Sequence, residues 1–123
     1  MVIDEETWSP NQEKRTTFEW EALPDGVRVA HEDSSYTVPW EVFSDVLAQA
    51  RDMAAENDGQ VVAGVNMDNP SAGSLGAWVV TQGFGIDSGV LTPRHLSFLG
   101  PIYGRMNIVD RGARGNAILW NIS

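Results

Sequence analysis

The stretch RTTFEWEALPDGVRVAHEDSSYTVPWEVFSDVLAQARDMAAEN, residues 15–57, changes its apolar period once, at Pro39. Before that proline the pattern alternates. Phe18, Trp20 and Ala22 fall on one side and Thr17, Glu19 and Glu21 on the other, the period of a half-buried strand. Pro24-Asp25-Gly26 has turn chemistry, and Val27–Ala30 reads as the returning strand. A second turn over Glu32–Ser35 leads to a third strand, Tyr36-Thr37-Val38. After Pro39 the period becomes helical. Trp40, Phe43, Leu47, Ala50 and Ala54 recur at three- and four-residue spacing, widened by Val46 and Met53. Glu41, Asp45, Gln49, Asp52 and Glu56 take the opposite face. Pro39 suits the first helical position, and Asn57-Asp58-Gly59 supplies the stop. The stretch therefore predicts an antiparallel three-stranded meander followed by an amphipathic helix, and with it an α+β fold.

Upstream, residues 1–14 are polar, contain Pro10 and show no period, so they are expected to form a loose arm that Trp8 tacks onto the body. Downstream, Gln60–Val65 reads as a strand and Asn66–Gly73 as a connector. Ser74 is placed to cap a helix running to Gln82, with Leu75, Trp78 and Val79 inward and Gly83 as its end. Gly83–Gly89 is expected to be flexible. Thr92-Pro93 opens another helix with Leu96, Leu99, Ile102, Tyr103 and Met106 inward. Pro101 loses the bond to the Ser97 carbonyl, so a kink or a split at Gly100-Pro101 is expected. Residues 108–111 and 117–122 around a glycine-rich tip read as a β-hairpin, with Ile118, Trp120 and Ile122 on one face.

The length of 123 residues suits one domain, here residues 15–123, with 15–65 and 74–122 sharing a core that neither could bury alone. There is no cysteine, which excludes disulfides, thiolate metal sites and cysteine nucleophiles. The acidic start Met1-Val2-Ile3-Asp4-Glu5-Glu6 lacks the chemistry of an export signal, and no apolar run approaches membrane-spanning length. A cytoplasmic location without a membrane partner is the expectation. The net charge of −9 is unevenly spread. Residues 1–69 hold 15 carboxylates against four basic residues, net −11, and residues 70–123 hold four arginines against two carboxylates, net +2. A local basic patch can engage a polyanion even on an acidic chain.

The segment Leu91–Ile122 resembles the C-terminal part of a winged helix-turn-helix domain. The likeness lies in Leu-Thr-Pro-Arg-His-Leu at 91–96, in Leu99, Ile102, Tyr103 and Met106, and in the strand–glycine–strand ending. Ser74–Gln82 would be a preceding support helix, extending the likeness to residues 74–122. The resemblance implies a recognition helix followed at once by a two-stranded wing, with Arg94 and His95 on the helix and Arg111 and Arg114 on the wing. With Arg105, these residues are the expected nucleic-acid contacts.

Other constellations are weaker. Asp87, Ser88 and His95 supply the residue types of a hydrolase triad, but Gly85–Gly89 is not a nucleophile elbow and adjacent Asp and Ser rarely adopt the geometry. Gly83–Gly89 superficially follows a dinucleotide loop, with its third glycine one residue late. His31-Glu32-Asp33 has one histidine and no partner cluster, so no metal is expected. No catalytic residue and no cofactor are expected, and the first reading is a small non-enzymatic module that binds duplex DNA or regulates. The alternative is a protein-interaction module. The acidic helix face of Glu41, Asp45, Asp52 and Glu56 would hold a basic partner, or the two oppositely charged halves of two copies would pair head to tail.

Overall fold

The computed structural model describes residues 1–8, 16–114 and 117–122. Within those residues nine strands and three helices follow one another: β1 (Val2–Glu6), β2 (Thr17–Leu23), β3 (Gly26–His31), β4 (Ser34–Pro39), α1 (Trp40–Ala55), β5 (Gln60–Val62), α2 (Leu75–Gln82), β6 (Gly85–Ile86), β7 (Gly89–Val90), α3 (Leu96–Arg105), β8 (Val109–Arg114) and β9 (Ala117–Ile122). A 3₁₀ turn over Pro93–His95 leads into α3. The fold is α+β, as the period change at Pro39 implies. Among the described residues, no helix is long and apolar enough to cross a membrane.

The meander has four strands rather than three, in the order β1-β2-β3-β4, all antiparallel. Residues 2–6 are therefore not part of a loose arm. They pair with β2 in a register that sets Ile3 against Trp20 and Glu5 against Phe18. Residues 9–15 of the expected arm lie outside the described residues. The strand was hidden because three of its five residues are acidic and only Ile3 gives an apolar inward signal.

On the inner sheet face, Phe18, Trp20, Val27, Val29, Tyr36 and Val38 are buried. α1 keeps the expected stripe, burying Val42, Phe43, Val46, Ala50 and Ala54, while Pro39 serves as its cap rather than its first residue. The Trp40 indole secures the helix start by donating to the Leu23 carbonyl at 2.7 Å. Tyr103 is fully buried between α1, α3 and β9. Its ring packs on Phe43 at 4.5 Å and on Trp120 at 5.6 Å, and its hydroxyl donates to the Phe43 carbonyl at 2.6 Å.

α2 begins and ends as the sequence suggests, with the Ser74 hydroxyl accepting from the Ala77 N–H at 3.2 Å and Gly83 left-handed at φ 61°. Residues 83–89 are more ordered than expected, because Gly85–Ile86 and Gly89–Val90 form a two-stranded ribbon. The hairpin β8–β9 is present, but β5 pairs on its far side, giving a three-stranded sheet with β9 central. Leu119 is buried along with Ile118 and Trp120, on the opposite face of β9.

α3 runs through Pro101 without splitting. The proline removes the N–H that would bond the Ser97 carbonyl, and the backbone N–H of Trp8 takes that carbonyl instead, at 3.0 Å. The Trp8 ring lies against Gly100 and Gly104. A Cβ at either glycine would stand 2.7 or 2.9 Å from it, so both positions must lack a side chain for the indole to seat. Trp8 does tack the N-terminal segment to the body, and its N–H satisfies the carbonyl that Pro101 leaves without a helical donor.

Candidate nucleic-acid interface

The five basic residues singled out in the sequence occupy distinct surroundings. Arg94, in the 3₁₀ turn, is exposed and has no ion-pair partner among the described residues. It lines a cleft of about 330 Å³ with Thr7, Thr16, His31, Ser97 and Phe98. Arg114, at the end of β8, is exposed and donates to Gln60 Oε1 at 3.2 Å. It lines a second cleft of about 580 Å³ with Val62, Asn66, Asn69, Ser71 and Ile118. The two clefts adjoin, because Val65 lines both. Among the described residues, neither lining contains a carboxylate.

Arg105 is engaged elsewhere. Its Nε donates to Glu5 Oε2 at 3.0 Å and its NH2 group reaches the Asp4 carbonyl at 3.3 Å, so β1 offsets its charge. Arg111 is half-buried in β8, directly across from Trp120. His95 is half-buried against Tyr36, with ring centroids 4.7 Å apart. Its Nδ1 accepts from the Thr92 N–H at 2.8 Å and lies 3.0 Å from the Thr92 hydroxyl. That acceptor role needs an unprotonated nitrogen. The structure thus brings Arg94 and Arg114 to adjoining clefts, while Arg105 and His95 serve local contacts.

Burial lowers the His95 pKa below the ordinary histidine value, and the neighbouring Arg94 charge acts in the same direction. The unfolded chain then binds a proton more readily than the folded one. Stability tied to His95 is complete above the unfolded pKa of about 6.5 and is lost as pH falls through it towards the lower folded value. Between pH 7.5 and 5.5 the thermal midpoint of the native protein is expected to fall more than that of His95→Gln. Parallel curves for the two proteins would show that His95 does not carry the effect.

The remaining constellations do not assemble. The Asp87 carboxylate accepts from the Thr37 N–H at 2.7 Å, tying the β6–β7 turn to β4, and no hydrogen bond among the described residues joins Ser88 to His95. His31 Nε2 lies 3.8 Å from Glu32 Oε1, and no group of three potential metal ligands occurs among the described residues. Glu41, Asp45, Asp52 and Glu56 are all exposed along α1. The outer face of the four-stranded sheet adds Asp4 and Glu19, which face each other across β1 and β2. Like charges in that arrangement repel, a cost the fold accepts on its surface.

Sequence reading missed the polar rim that Asn66, Asn69 and Ser71 contribute beside Arg114. Their turn-forming composition marked them only as a connector, and Asn66 does build such a turn, its Oδ1 accepting from the Asp68 and Asn69 N–H groups at 3.0 and 3.1 Å. No family model, curated protein or solved structure matches the chain, so the geometry alone bears on function.

Proposed function

We propose that this protein is a non-enzymatic module that binds duplex DNA through the side of the molecule bearing Arg94 and Arg114. The observation that supports it is the charge arrangement of the adjoining clefts. In a chain of net charge −9, neither cleft has a carboxylate among its described lining residues, and each holds one arginine, beside Asn66, Asn69 and Ser71 in one and beside Thr7, Thr16 and Ser97 in the other. Guanidinium and amide groups of this kind suit phosphate oxygens. Seven of the ten residues of α3 are buried, so the contact falls to the 3₁₀ turn and the hairpin rather than to that helix.

Labelled duplex DNA followed by fluorescence anisotropy tests the reading at about 50 and 200 mM salt. Binding is expected to weaken with salt. Arg94→Ala/Arg114→Ala is expected to reduce the slope of log affinity against log salt by about 2, one for each phosphate that the variant no longer neutralises. Arg51→Ala, on the exposed side of α1, is expected to change little. No binding at low salt, or binding untouched by the double substitution, would remove DNA from the account.

A second reading is favoured by one feature. None of Glu41, Asp45, Asp52 and Glu56 has an ion-pair partner among the described residues, although they line one side of α1. Such a stripe suits a basic protein partner. Binding of a partner that is abolished by Asp45→Lys/Asp52→Lys, with DNA binding absent, would replace the first reading by the second.

A further inference from the structure

β5, β9 and β8 lie side by side in that order, and their register puts Gln60, Val62, Ala117 and Arg114 on one face of the sheet, opposite the buried Trp120. Arg114 reaches from β8 across β9 to β5, where its NH2 group donates to Gln60 Oε1 at 3.2 Å. Past Val62 the chain turns off the sheet at Gly64, left-handed at φ 66°, and residues 65–71 stand beside that face as a wall. Sheet face and wall flank the cleft of about 580 Å³. Small-molecule sites have volumes of about 300–1,000 Å³, so the cleft has the size of one.

The wall carries unspent donors. Asn66 Oδ1 accepts from the Asp68 and Asn69 N–H groups, which fixes the amide and leaves its Nδ2 group without a partner among the described residues. The Asn69 side chain and the Ser71 hydroxyl likewise make no hydrogen bond among the described residues. Arg114 gives one N–H to Gln60 and keeps others, since a guanidinium has five. One cation, two amides and a hydroxyl thus line the cleft, with no carboxylate among the described lining residues. The rest of that lining is largely apolar: Val62, Val65, Ala117 and Ile118.

We propose that this cleft binds a small organic carboxylate, its anionic head on Arg114, Asn66, Asn69 and Ser71 and its apolar body on Val62, Val65, Ala117 and Ile118. Charge selects a carboxylate over a phosphate monoester. The described lining holds one cation, which matches one negative charge, and the net −9 of the chain disfavours a second. The two oxygens of a carboxylate accept a guanidinium fork and still have lone pairs for amide and hydroxyl donors. The four aliphatic side chains call for an apolar body, because only apolar surface gains by leaving water against them. Gln60 acts as a positioning residue that holds the guanidinium over β9. Nothing in this assignment rests on DNA binding, although Arg114 is common to both ligands.

Nitrogen–proton correlation spectra of the intact protein, titrated to about 2 mM with 2-naphthoate or with its neutral isostere 2-naphthamide, test the proposal. Naphthoate is expected to move the backbone signals of Val62, Val65 and Ile118 and the side-chain amide signals of Asn66 and Asn69. Naphthamide is expected to bind about tenfold more weakly or worse, the difference that hydrogen bonds to a charged group make. Arg114→Gln is expected to erase that preference, leaving both probes equally weak. Ser71→Asp sets a carboxylate in the wall and is expected to abolish naphthoate binding. Arg94→Ala is expected to leave naphthoate binding unchanged while weakening DNA binding, so the two readings fail separately. All three substitutions are at exposed positions, and the dispersion of the same spectra shows that the variants fold. Absence of shifts at the cleft residues overturns the proposal, as does equal affinity of the native protein for the two probes. Naphthoate binding that ignores both Arg114→Gln and Ser71→Asp overturns it too. 2-Naphthyl phosphate binding about tenfold tighter than naphthoate would overturn the carboxylate assignment.

Discussion

Gly76→Ala is expected to destabilise the protein by about 2–3 kcal/mol, lowering the thermal midpoint on the order of 10 °C. Helix propensity alone predicts the reverse, because alanine inside a helix is worth about 1 kcal/mol more than glycine. Geometry decides against propensity. Gly76 is buried in the first turn of α2, and its N–H donates to the Ala63 carbonyl at 2.8 Å. A Cβ there would run into the Gly64 carbonyl oxygen and come within 2.9 Å of the carbonyl carbon. Gly64 is itself left-handed at φ 66°, a backbone setting that glycine alone adopts readily. The obstacle is the Gly64 backbone, with the Pro93 Cβ also 3.1 Å away, and no rotamer change relieves it. Either α2 moves off the chain leaving β5, breaking that hydrogen bond, or the clash remains. Gly85→Ala is the control. Nothing lies within 4 Å of its Cβ position, so a change within about 0.5 kcal/mol is expected. Urea unfolding of both variants measures the difference. A Gly76→Ala protein as stable as the native one would mean that propensity outweighs the contact.

Trp8→Ala carries the second large effect, about 2 kcal/mol. Full truncation of a buried tryptophan costs about 3–5 kcal/mol, and Trp8 is only half-buried. The loss is specific to the notch formed by Gly100 and Gly104, and a coupled substitution shows this. In the native protein Gly100→Ala places a Cβ 2.7 Å from the Trp8 ring and 3.1 Å from the Trp120 indole nitrogen. With Trp8 removed, only the second approach remains. Gly100→Ala is therefore expected to cost less in the Trp8→Ala background than alone, by about 1 kcal/mol in a double-mutant cycle. Additive costs would show that Trp8 does not fill the notch in solution.

Pro101 shows why part of the structure was legible and part was not. The proline itself is plain in the sequence, and so is the carbonyl it leaves without a helical donor. The donor that answers it belongs to Trp8, at the other end of the chain, and no local pattern connects the two. Without that partner the reasonable expectation is a broken helix. With it, α3 stays continuous and Ser97 is satisfied. The hairpin follows the same logic. Ile118, Trp120 and Ile122 show the period of a strand with one buried face, and that period announces neither the pairing of β5 with β9 nor the burial of Leu119 on the opposite face.

The candidate site divides likewise. Arg94, Arg105 and Arg114 are visible as charges on an otherwise acidic chain, but their environments are not. Arg105 is offset by Glu5 because β1 pairs with β2 and passes the end of α3. His95 is held by Thr92, three residues away, an arrangement the cap-plus-proline signal at Thr92-Pro93 foreshadows. The cleft around Arg94 combines residues from five separate stretches and that around Arg114 joins 62–71 to 114–118, and a linear reading has no access to such convergence.

What the sequence determined by itself is whatever a few neighbouring residues can enforce. The period change at Pro39, the Ser74 cap with Gly83 as its stop, and the β8–β9 hairpin each rest on signals within one or two turns of chain. Tertiary structure decided the rest: the pairing of β1 with β2, the central place of β9, the continuity of α3 through Pro101, and which arginines face open clefts. Each of these is settled by a hydrogen bond, a close backbone approach or an ion pair between distant segments. The energy of such contacts exists only once the chain has brought the two ends together.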